Sequence, residues 1–497
     1  MKKISFIFIT ILSINTWSFA QNVDDALRYS QVFYSGTSRF NSMGGAFTAL
    51  GGDISTLSQN PAGIGIFRSS EISVTPQLFH IKTIANFKSN SSEDYIYDFN
   101  LPQAGVVLNL INKNSESGLM TLNVGYAFQK TNNFNQSVVV EGISNRSSLA
   151  DYWAEISNGY YSDELLANVP AAYLGWKTWV IDSLSGFNDR YETAYSNYGE
   201  NLPSIYGQNM KRLISNKGYT GEHAFTVGGN WSNKLYFGAT LGISRLSYSS
   251  QYEHMESTEE DLASKLTDFN YTYYYDNSGT GYSFKIGAIY KPIDMLRIGF
   301  AFHSPTMYRI NEYIYDNIST YYSDVAVPYE ASIDPVRFNY ALTTPFRAMI
   351  GVALQVKKLA LLSADYEFVD YRAARFSETG DDYNYSIKNQ EIKNSLESAS
   401  NLRFGAEVRL SKIYLRGGYS FYGGPWKTGD INDELNYNSV SCGIGFREQN
   451  LSIDFGYTNM SNPYNYILYD ALIETPMSDM NIRRNIFNVT FGYRFSY

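Results

Sequence analysis

The stretch that decides the fold is FNVTFGYRFSY, residues 487–497. Phe487, Val489, Phe491, Tyr493, Phe495 and Tyr497 fall on one parity, and Asn488, Thr490, Gly492, Arg494 and Ser496 on the other. Successive side chains of a strand point to opposite faces, so this stretch predicts a strand with one apolar and one polar face. The same period returns upstream. Met120, Leu122, Val124, Tyr126 and Phe128 alternate with Thr121, Asn123, Gly125, Ala127 and Gln129. Leu296, Ile298, Phe300 and Phe302 alternate with Arg297, Gly299, Ala301 and His303. Leu402, Phe404, Ala406 and Val408, and Leu451, Ile453, Phe455 and Tyr457, repeat the pattern.

A soluble sandwich also alternates, so the connections must choose. Short ones fall near 112–117, 232–233, 292–294, 357–358, 411 and 448–450. Long ones fall near 82–102, 142–221, 253–268, 317–335, 377–398, 422–434 and 460–484. Tight turns at one rim and long loops at the other are the asymmetry of outer-membrane barrels. Strands are expected at 71–82, 103–111, 117–141, 222–232, 234–252, 269–291, 295–316, 336–357, 359–376, 399–410, 412–422, 434–447, 450–460 and 485–497. The fold expected is all-β: a transmembrane antiparallel barrel of about 14 strands, an even number that puts both chain ends at the short-turn rim. Closure is required because lipid offers an open sheet edge no hydrogen-bond partner.

Composition agrees. With 44 Tyr and 30 Phe, aromatics reach 16%, while charged residues make up 18%, below the roughly 25% usual in soluble chains. The single Cys442 excludes an intrachain disulfide framework. His80, His223, His254 and His303 form no metal-ligand spacing, and a net charge of −9 argues against nucleic acid as a partner.

The chain opens MKKISFIFITILSINTWSFAQN, with two lysines, a short apolar run and Ser18-Phe19-Ala20, which predicts a signal peptide over 1–20. Residues 21–70 break the strand alternation. They are rich in glycine and apolar residues together, and the natural place to bury such a segment ahead of a barrel is the lumen. The expected organisation is therefore signal peptide 1–20, lumenal segment 21–70 and barrel 71–497, with 142–221 the largest loop. In that loop Leu149, Tyr152, Trp153 and Ile156 predict a helix, and Leu165, Leu166 and Val169 a second one ended by Pro170.

Residues 39–67, RFNSMGGAFTALGGDISTLSQNPAGIGIF, resemble the hatch of the FadL family of outer-membrane long-chain fatty-acid transporters. Gly44, Gly45, Ala46, Ala49, Asp53, Asn60, Pro61, Ala62 and Gly63 carry the likeness. YKPIDMLRIGFAFHSPT (290–306), TPFRAMIGVAL (344–354), LSADYEFVDY (362–371) and NLRFGAEVRLSKIYLRGGYSF (401–421) extend it over nearly the whole mature chain. The terminal Tyr497 looks like the signal read by barrel-assembly machinery. The resemblance implies a plugged barrel in the outer membrane of a Gram-negative bacterium, monomeric, in contact with outer-membrane lipid and lipopolysaccharide, and without a cofactor. It would take up hydrophobic small molecules by passive diffusion and release them sideways through the wall. GGD in place of the family's Ala-Asp-Asp run, and the long 142–221 insertion, leave the ligand open. Some relatives carry aromatic hydrocarbons, are labelled hemin receptors or serve secretion systems.

On this reading Asp53, Asn60, Pro61, Ala62 and Gly63 form the hatch motif, with Asn60-Pro61-Ala62 pinning a movable plug to the inner wall. Phe40, Met43, Phe47, Leu50 and Leu57 are expected to line an apolar pocket. Arg297, Arg403, Arg409, Arg416, Arg447 and Arg494 face inward, either toward a ligand carboxylate or toward partners such as Glu407 and Asp454. An enzyme is not expected: no G-x-S-x-G elbow occurs and the histidines lack a persuasive local context.

Overall fold

The computed structural model describes residues 22–113, 117–144, 146–195, 208–258, 265–357, 359–380 and 383–495. The expected signal peptide, the terminal Tyr497 and part of the largest loop lie outside them. The wall consists of fourteen antiparallel positions: β1 (Glu71–Phe87), β2 (Asn90–Asn112), β3 (Leu119–Asn133 with Gln136–Ser144), β4 (Gln208–Trp231), β5 (Leu235–Thr258), β6 (Leu266–Ile293), β7 (Leu296–His303 with Met307–Tyr322), β8 (Val336–Thr343 with Arg347–Val356), β9 (Ala360–Asp370 with Arg375–Glu378), β10 (Ser398–Leu410), β11 (Ile413–Tyr422), β12 (Tyr437–Glu448), β13 (Leu451–Ile467) and β14 (Met477–Arg494). Each pairs with the next, and β14 closes on β1 from Glu71↔Arg494 to Phe87↔Ser478. The barrel and its count of fourteen are as the alternation predicts.

The outer face carries exposed apolar side chains around the wall, among them Val74, Phe237, Phe284, Phe300, Ile350, Phe404, Leu415, Val440, Phe455 and Phe491. Exposed in water, such a belt would be a liability; in a membrane it is the lipid-facing band. The inner parity is polar and buried: Thr75, Gln103, Asn123, Thr240, Lys285, Asp365, Glu407 and Thr490. Buried polar groups need partners, and the N-terminal segment supplies many of them.

That segment runs α1 (Val23–Ser30), α2 (Ser38–Ser42), α3 (Thr56–Gln59) and a 3-10 turn (Pro61–Ile66) before entering β1. It lies inside the barrel and is tied to opposite sides of the wall. Ser38 N donates to Thr490 Oγ1 at 2.6 Å, and Thr48 N to Asp365 Oδ2 at 2.8 Å. Lys285 Nζ donates to the Ser58 carbonyl at 2.8 Å, and Asn123 Nδ2 to the Ile64 carbonyl at 2.6 Å. Its close seating depends on wall glycines. A Cβ on Gly287 would overlap Asn60 Oδ1, and one on Gly238 would overlap the Pro61 carbonyl.

Several long connections shrink because the strands rise above the belt. The expected loop 82–102 is instead paired strand, from Lys82↔Tyr95 to Phe87↔Asn90, with a tight turn at 88–89. Its polar composition reads as a loop because, above the lipid, both faces of a strand meet water. The large insertion holds α4 (Leu149–Ser157), α5 (Leu165–Asn168) and α6 (Pro170–Lys177). Pro170 does not merely end a helix; it stands at the first position of the next, where its missing N–H costs nothing. Trp153 is buried against Phe269 and Tyr271 of β6, so the insertion is a packed cap over the long-loop rim.

Three adjacent strands are interrupted together: β7 at 304–306, β8 at 344–346 and β9 at 371–374. Pro305 and Pro345 withhold ladder donors, and the neighbouring breaks satisfy each other through Thr344 N to the Thr306 carbonyl and Thr306 N to Thr344 Oγ1. The expected strands 295–316, 336–357 and 359–376 ran unbroken. The sequence signal is a change of parity: in β7 the buried residues Ala301 and His303 are odd, Tyr308 and Ile310 even.

Candidate functional site

The Asn60 backbone is extended (φ −133°, ψ 103°), as a residue before proline prefers, and its Oδ1 accepts from Ala62 N at 3.1 Å. Asn60 Nδ2 donates to the Thr48 carbonyl at 2.6 Å. The motif therefore fastens two turns of the inner segment to each other, while Pro61 and Asn60 press on Gly238 and Gly287 of the wall. Asp53 accepts from Thr37 Oγ1 at 2.9 and 2.8 Å and from Ser55 N at 3.0 Å, a staple within the segment. Ala62 and Gly63 are buried, and a Cβ on Gly63 would overlap Thr56 Oγ1.

Phe40, Met43, Phe47 and Leu50 pack together with Ala49 and Ala353, and Leu57 packs with Ile54, Ile64 and wall residues Val107, Ala127 and Ala224. Of the five, Phe40 alone borders the large cavity described below. Arg297 donates through Nη1 to the Leu50 carbonyl at 2.7 Å, holding the segment rather than facing free space. Arg416 bridges Glu407 at 2.7 Å and Asp454 at 2.6 Å, and Arg39 of the segment joins Glu407 at 2.9 Å. Glu367 is shared by Arg403, at 2.7 Å, and Arg347. Arg494 pairs with Glu71 at 2.7 Å near the short-turn rim. Arg409 and Arg447 both lie over the Tyr414 ring, at 4.7 and 4.8 Å from its centroid.

Above the inner segment lies a cavity of about 770 Å³. Tyrosines dominate its wall, with Tyr248, Tyr275, Tyr422, Tyr437, Tyr464 and Tyr466 among them, and Phe33, Phe79, Ile482 and Ile486 add apolar surface. The mixture suits a molecule with an apolar body and a polar end. Four cations border it. Arg28 is paired with Asp25 and Arg403 with Glu367, while Lys130 lies 4.6 Å from the Tyr219 ring centroid. Arg484 differs: among the described residues it has no ion-pair partner, and its Nε is buried without a hydrogen bond. A buried guanidinium left unpaired beside a cavity is an anion site in waiting. Burial pushes the Asp25 carboxyl of α1 up to about 6, against the Arg28 charge that lowers it.

The cavity meets a seam in the wall. β2 and β3 pair only as far as Gln103↔Gln129. Beyond that point β3 turns to the inner segment: Phe33 N donates to the Thr131 carbonyl at 2.6 Å, and Ser35 N to the Lys130 carbonyl at 3.1 Å. The edges 97–102 of β2 and 130–135 of β3 therefore face each other without a backbone ladder. Side chains bridge the seam higher up, with Asn135 Nδ2 donating to Asp98 Oδ2 at 3.0 Å and Ser137 Oγ to Asp94 Oδ2 at 2.5 Å. Lys130, Asn132, Asn133 and Phe134 line the cavity on its inner side, while Phe99 on the outer side is 71% exposed. Arg484 and this seam escaped the sequence reading. Arg484 does so because β14 starts eight residues earlier than the expected 485.

An uncharacterised protein family (UPF0164) matches residues 10–96. No curated protein matches the chain. Among solved structures, that of a Pseudomonas aeruginosa FadL homologue aligns with a TM-score of 0.52 at 14% identity, covering 94% of this chain and 100% of its own. The Pseudomonas putida toluene transporter TodX aligns with a TM-score of 0.51 at 11% identity, covering 94% of this chain and 100% of its own. At these identities the likeness is one of fold: the chain is a fourteen-stranded barrel of the FadL type.

Proposed function

We propose that this chain is an outer-membrane transporter that takes up hydrophobic molecules carrying an acidic end, long-chain fatty acids or chemically similar amphiphiles, by passive diffusion. The observation that carries the reading is the junction of cavity and seam. A chamber large enough for such a molecule is floored by the inner segment and borders the one stretch where β2 and β3 lack a ladder. Each methylene moved from water into the chamber or the bilayer gains about 0.8 kcal/mol, so capture from water runs downhill, release into the bilayer is about neutral per methylene, and neither step needs an energy source. Arg484 would hold the acidic end while the tyrosine-rich wall takes the body. The structural likeness to a protein named as a toluene transporter supports passage of apolar molecules through this architecture.

A cysteine pair across the seam, D98C/N135C, tests the route. Asp98 and Asn135 already touch through their side chains at 3.0 Å. In cells lacking other fatty-acid uptake, the oxidised pair is expected to abolish oleate accumulation and reduction with dithiothreitol to restore it. Equal uptake by the oxidised and reduced protein overturns lateral release.

A further inference from the structure

Arg245 on β5, Arg309 on β7 and Arg375 on β9 are exposed, and among the described residues none has an ion-pair partner. Their alternation places them on the outer face: their neighbours Leu246, Tyr308 and Phe376 are buried toward the lumen. Arg245 and Arg309 both register with Thr280 of β6, one from each side. Two strand spacings separate them, about 10 Å. Arg309 registers with Ala341 of β8 and Ala341 with Ser377 of β9, two residues from Arg375, so the three cations recur on every second strand.

Their height matters as much as their charge. Exposed Leu241 precedes Arg245 and exposed Met307 precedes Arg309, while Tyr282 stands below Thr280 on the strand between. Arg245 lies ten residues beyond Leu235 at the short-turn rim, the span a tilted strand of about 9–11 residues needs to cross the hydrocarbon. The cations therefore mark the upper edge of the apolar belt, at the depth of headgroups on the long-loop side. The nearest outward carboxylate on β6, Asp276, stands four residues farther from the belt than Thr280. A second outer pair of cations, Lys82 and Arg483 opposite each other on β1 and β14, is different, since Lys82 is already bridged to Glu93 at 2.6 Å.

We infer that Arg245, Arg309 and Arg375 form a binding site for a phosphorylated outer-leaflet glycolipid, whose phosphates lie along the arginine row while its acyl chains cover Leu241, Tyr282 and Met307. The chain is acidic overall, at −9, so an unpaired cationic arc directly above apolar surface matches an anionic lipid better than a soluble anion or an acidic protein. Arginine is the suited residue, because its planar fork takes phosphate oxygens in pairs.

The test is native mass spectrometry of the detergent-purified full chain titrated with bisphosphorylated lipid A, with dephosphorylated lipid A and phosphatidylethanolamine as comparison lipids. R245Q/R309Q/R375Q is expected to weaken bisphosphorylated lipid A binding by about 10-fold or more, and to leave the comparison lipids unchanged. K82Q/R483Q, on the opposite arc, is expected to bind like the parent chain. Heat-modifiable migration on a gel reports that each variant is a folded barrel. Parent-like binding by the triple variant overturns the site, as does an equal loss in K82Q/R483Q or an equal loss for dephosphorylated lipid A.

Discussion

Replacing Gly287 by alanine would unseat the inner segment while leaving the wall closed. The new Cβ would occupy the place of Asn60 Oδ1 and would come within 3.2 Å of Ala62 N. Asn60 must then move, losing its 2.6 Å bond to the Thr48 carbonyl and the 3.1 Å bond from Ala62 N. Each buried group left without a partner costs about 1–3 kcal/mol, and overpacking adds about 1–3 kcal/mol. A value on the order of 4 kcal/mol is reasonable, and at 1.4 kcal/mol per decade it opens the segment about a thousandfold more often. Hydrogen exchange read by mass spectrometry should show this at Ala62 and Gly63, whose amides are buried, with β10 and β11 unchanged. In an N60G background the carboxamide is gone, so G287A should cost far less, a coupling that non-neighbouring positions would not show. Exchange within about tenfold of the parent, or an equal cost in both backgrounds, would refute the seating argument.

Three further outcomes follow from the geometry. R484M removes the unpaired cation of the cavity, so palmitate should bind about 10- to 100-fold more weakly while hexadecanol is unaffected, as measured by isothermal titration in detergent. E367Q leaves Arg403 and Arg347 without their shared carboxylate and should destabilise the barrel by about 3–5 kcal/mol, visible as a lower midpoint in thermal circular dichroism. Glu256, on the part of β5 above the belt, accepts from Leu149 N at 2.7 Å and from Ser148 Oγ, clamping the start of α4. Burial pushes its carboxyl up to about 7, so the docked cap binds a proton more tightly than an exposed glutamate does. Docking should therefore strengthen as pH falls from about 8 to about 6.5, by about 1 kcal/mol, with faster exchange of 149–157 at about pH 8 than at about pH 6.5 after correction for intrinsic rates. Below that, buried His254, 2.8 Å from Glu256 and held well below its usual value by burial, opposes the gain. E256Q should remove the difference.

The wall was readable because lipid on one side and a polar lumen on the other impose period two on every strand, as in Phe487 to Phe495. The strand extensions were not, because above the belt both faces are polar and residues such as Ser91, Ser92, Glu93 and Asp94 carry no apolar parity. The inner glycines were visible on the polar parity, Gly299 and Gly405 among them, but a close approach has two sides. Only the fold shows that the Thr48 carbonyl comes to Gly299 and the Met43 carbonyl to Gly405. The apolar residues of the segment posed a similar problem: Met43, Phe47, Leu50 and Leu57 could line a pocket or fill one, and packing decides that they fill it. Arg416 of β11 illustrates the converse, since Glu407 lies directly opposite it on β10 and Asp454 two strands away on β13, all on the polar parity whose register the alternation already constrained.

The way the inner segment is held bears on how a ligand would pass it. Swinging the segment out of the lumen would break the Arg39–Glu407 pair, the Lys285–Ser58, Arg297–Leu50 and His303–Gln59 bonds, and those of Asn123 and Thr240 to the Ile64 and Leu57 carbonyls. Every partner stranded in that confined space costs about 1–3 kcal/mol, and charged ones cost more. It would also empty the glycine seats, such as those that Asn60 and Pro61 occupy at Gly287 and Gly238. Passage through the seam requires none of those breaks. Its edges are joined by a few side-chain bonds such as Asn135–Asp98, and on the inside β3 alone is tied to the inner segment by two backbone bonds from Phe33 and Ser35. Those two bonds connect the stretch after α1 directly to the strand that bounds the seam. A ligand that displaces α1 from its place at the cavity wall would pull on Phe33 and Ser35, and through them on residues 130 and 131 of β3. The motion that the proposed transport needs is thus confined to residues 22–35 and the upper part of β3, while residues 36–67 stay seated.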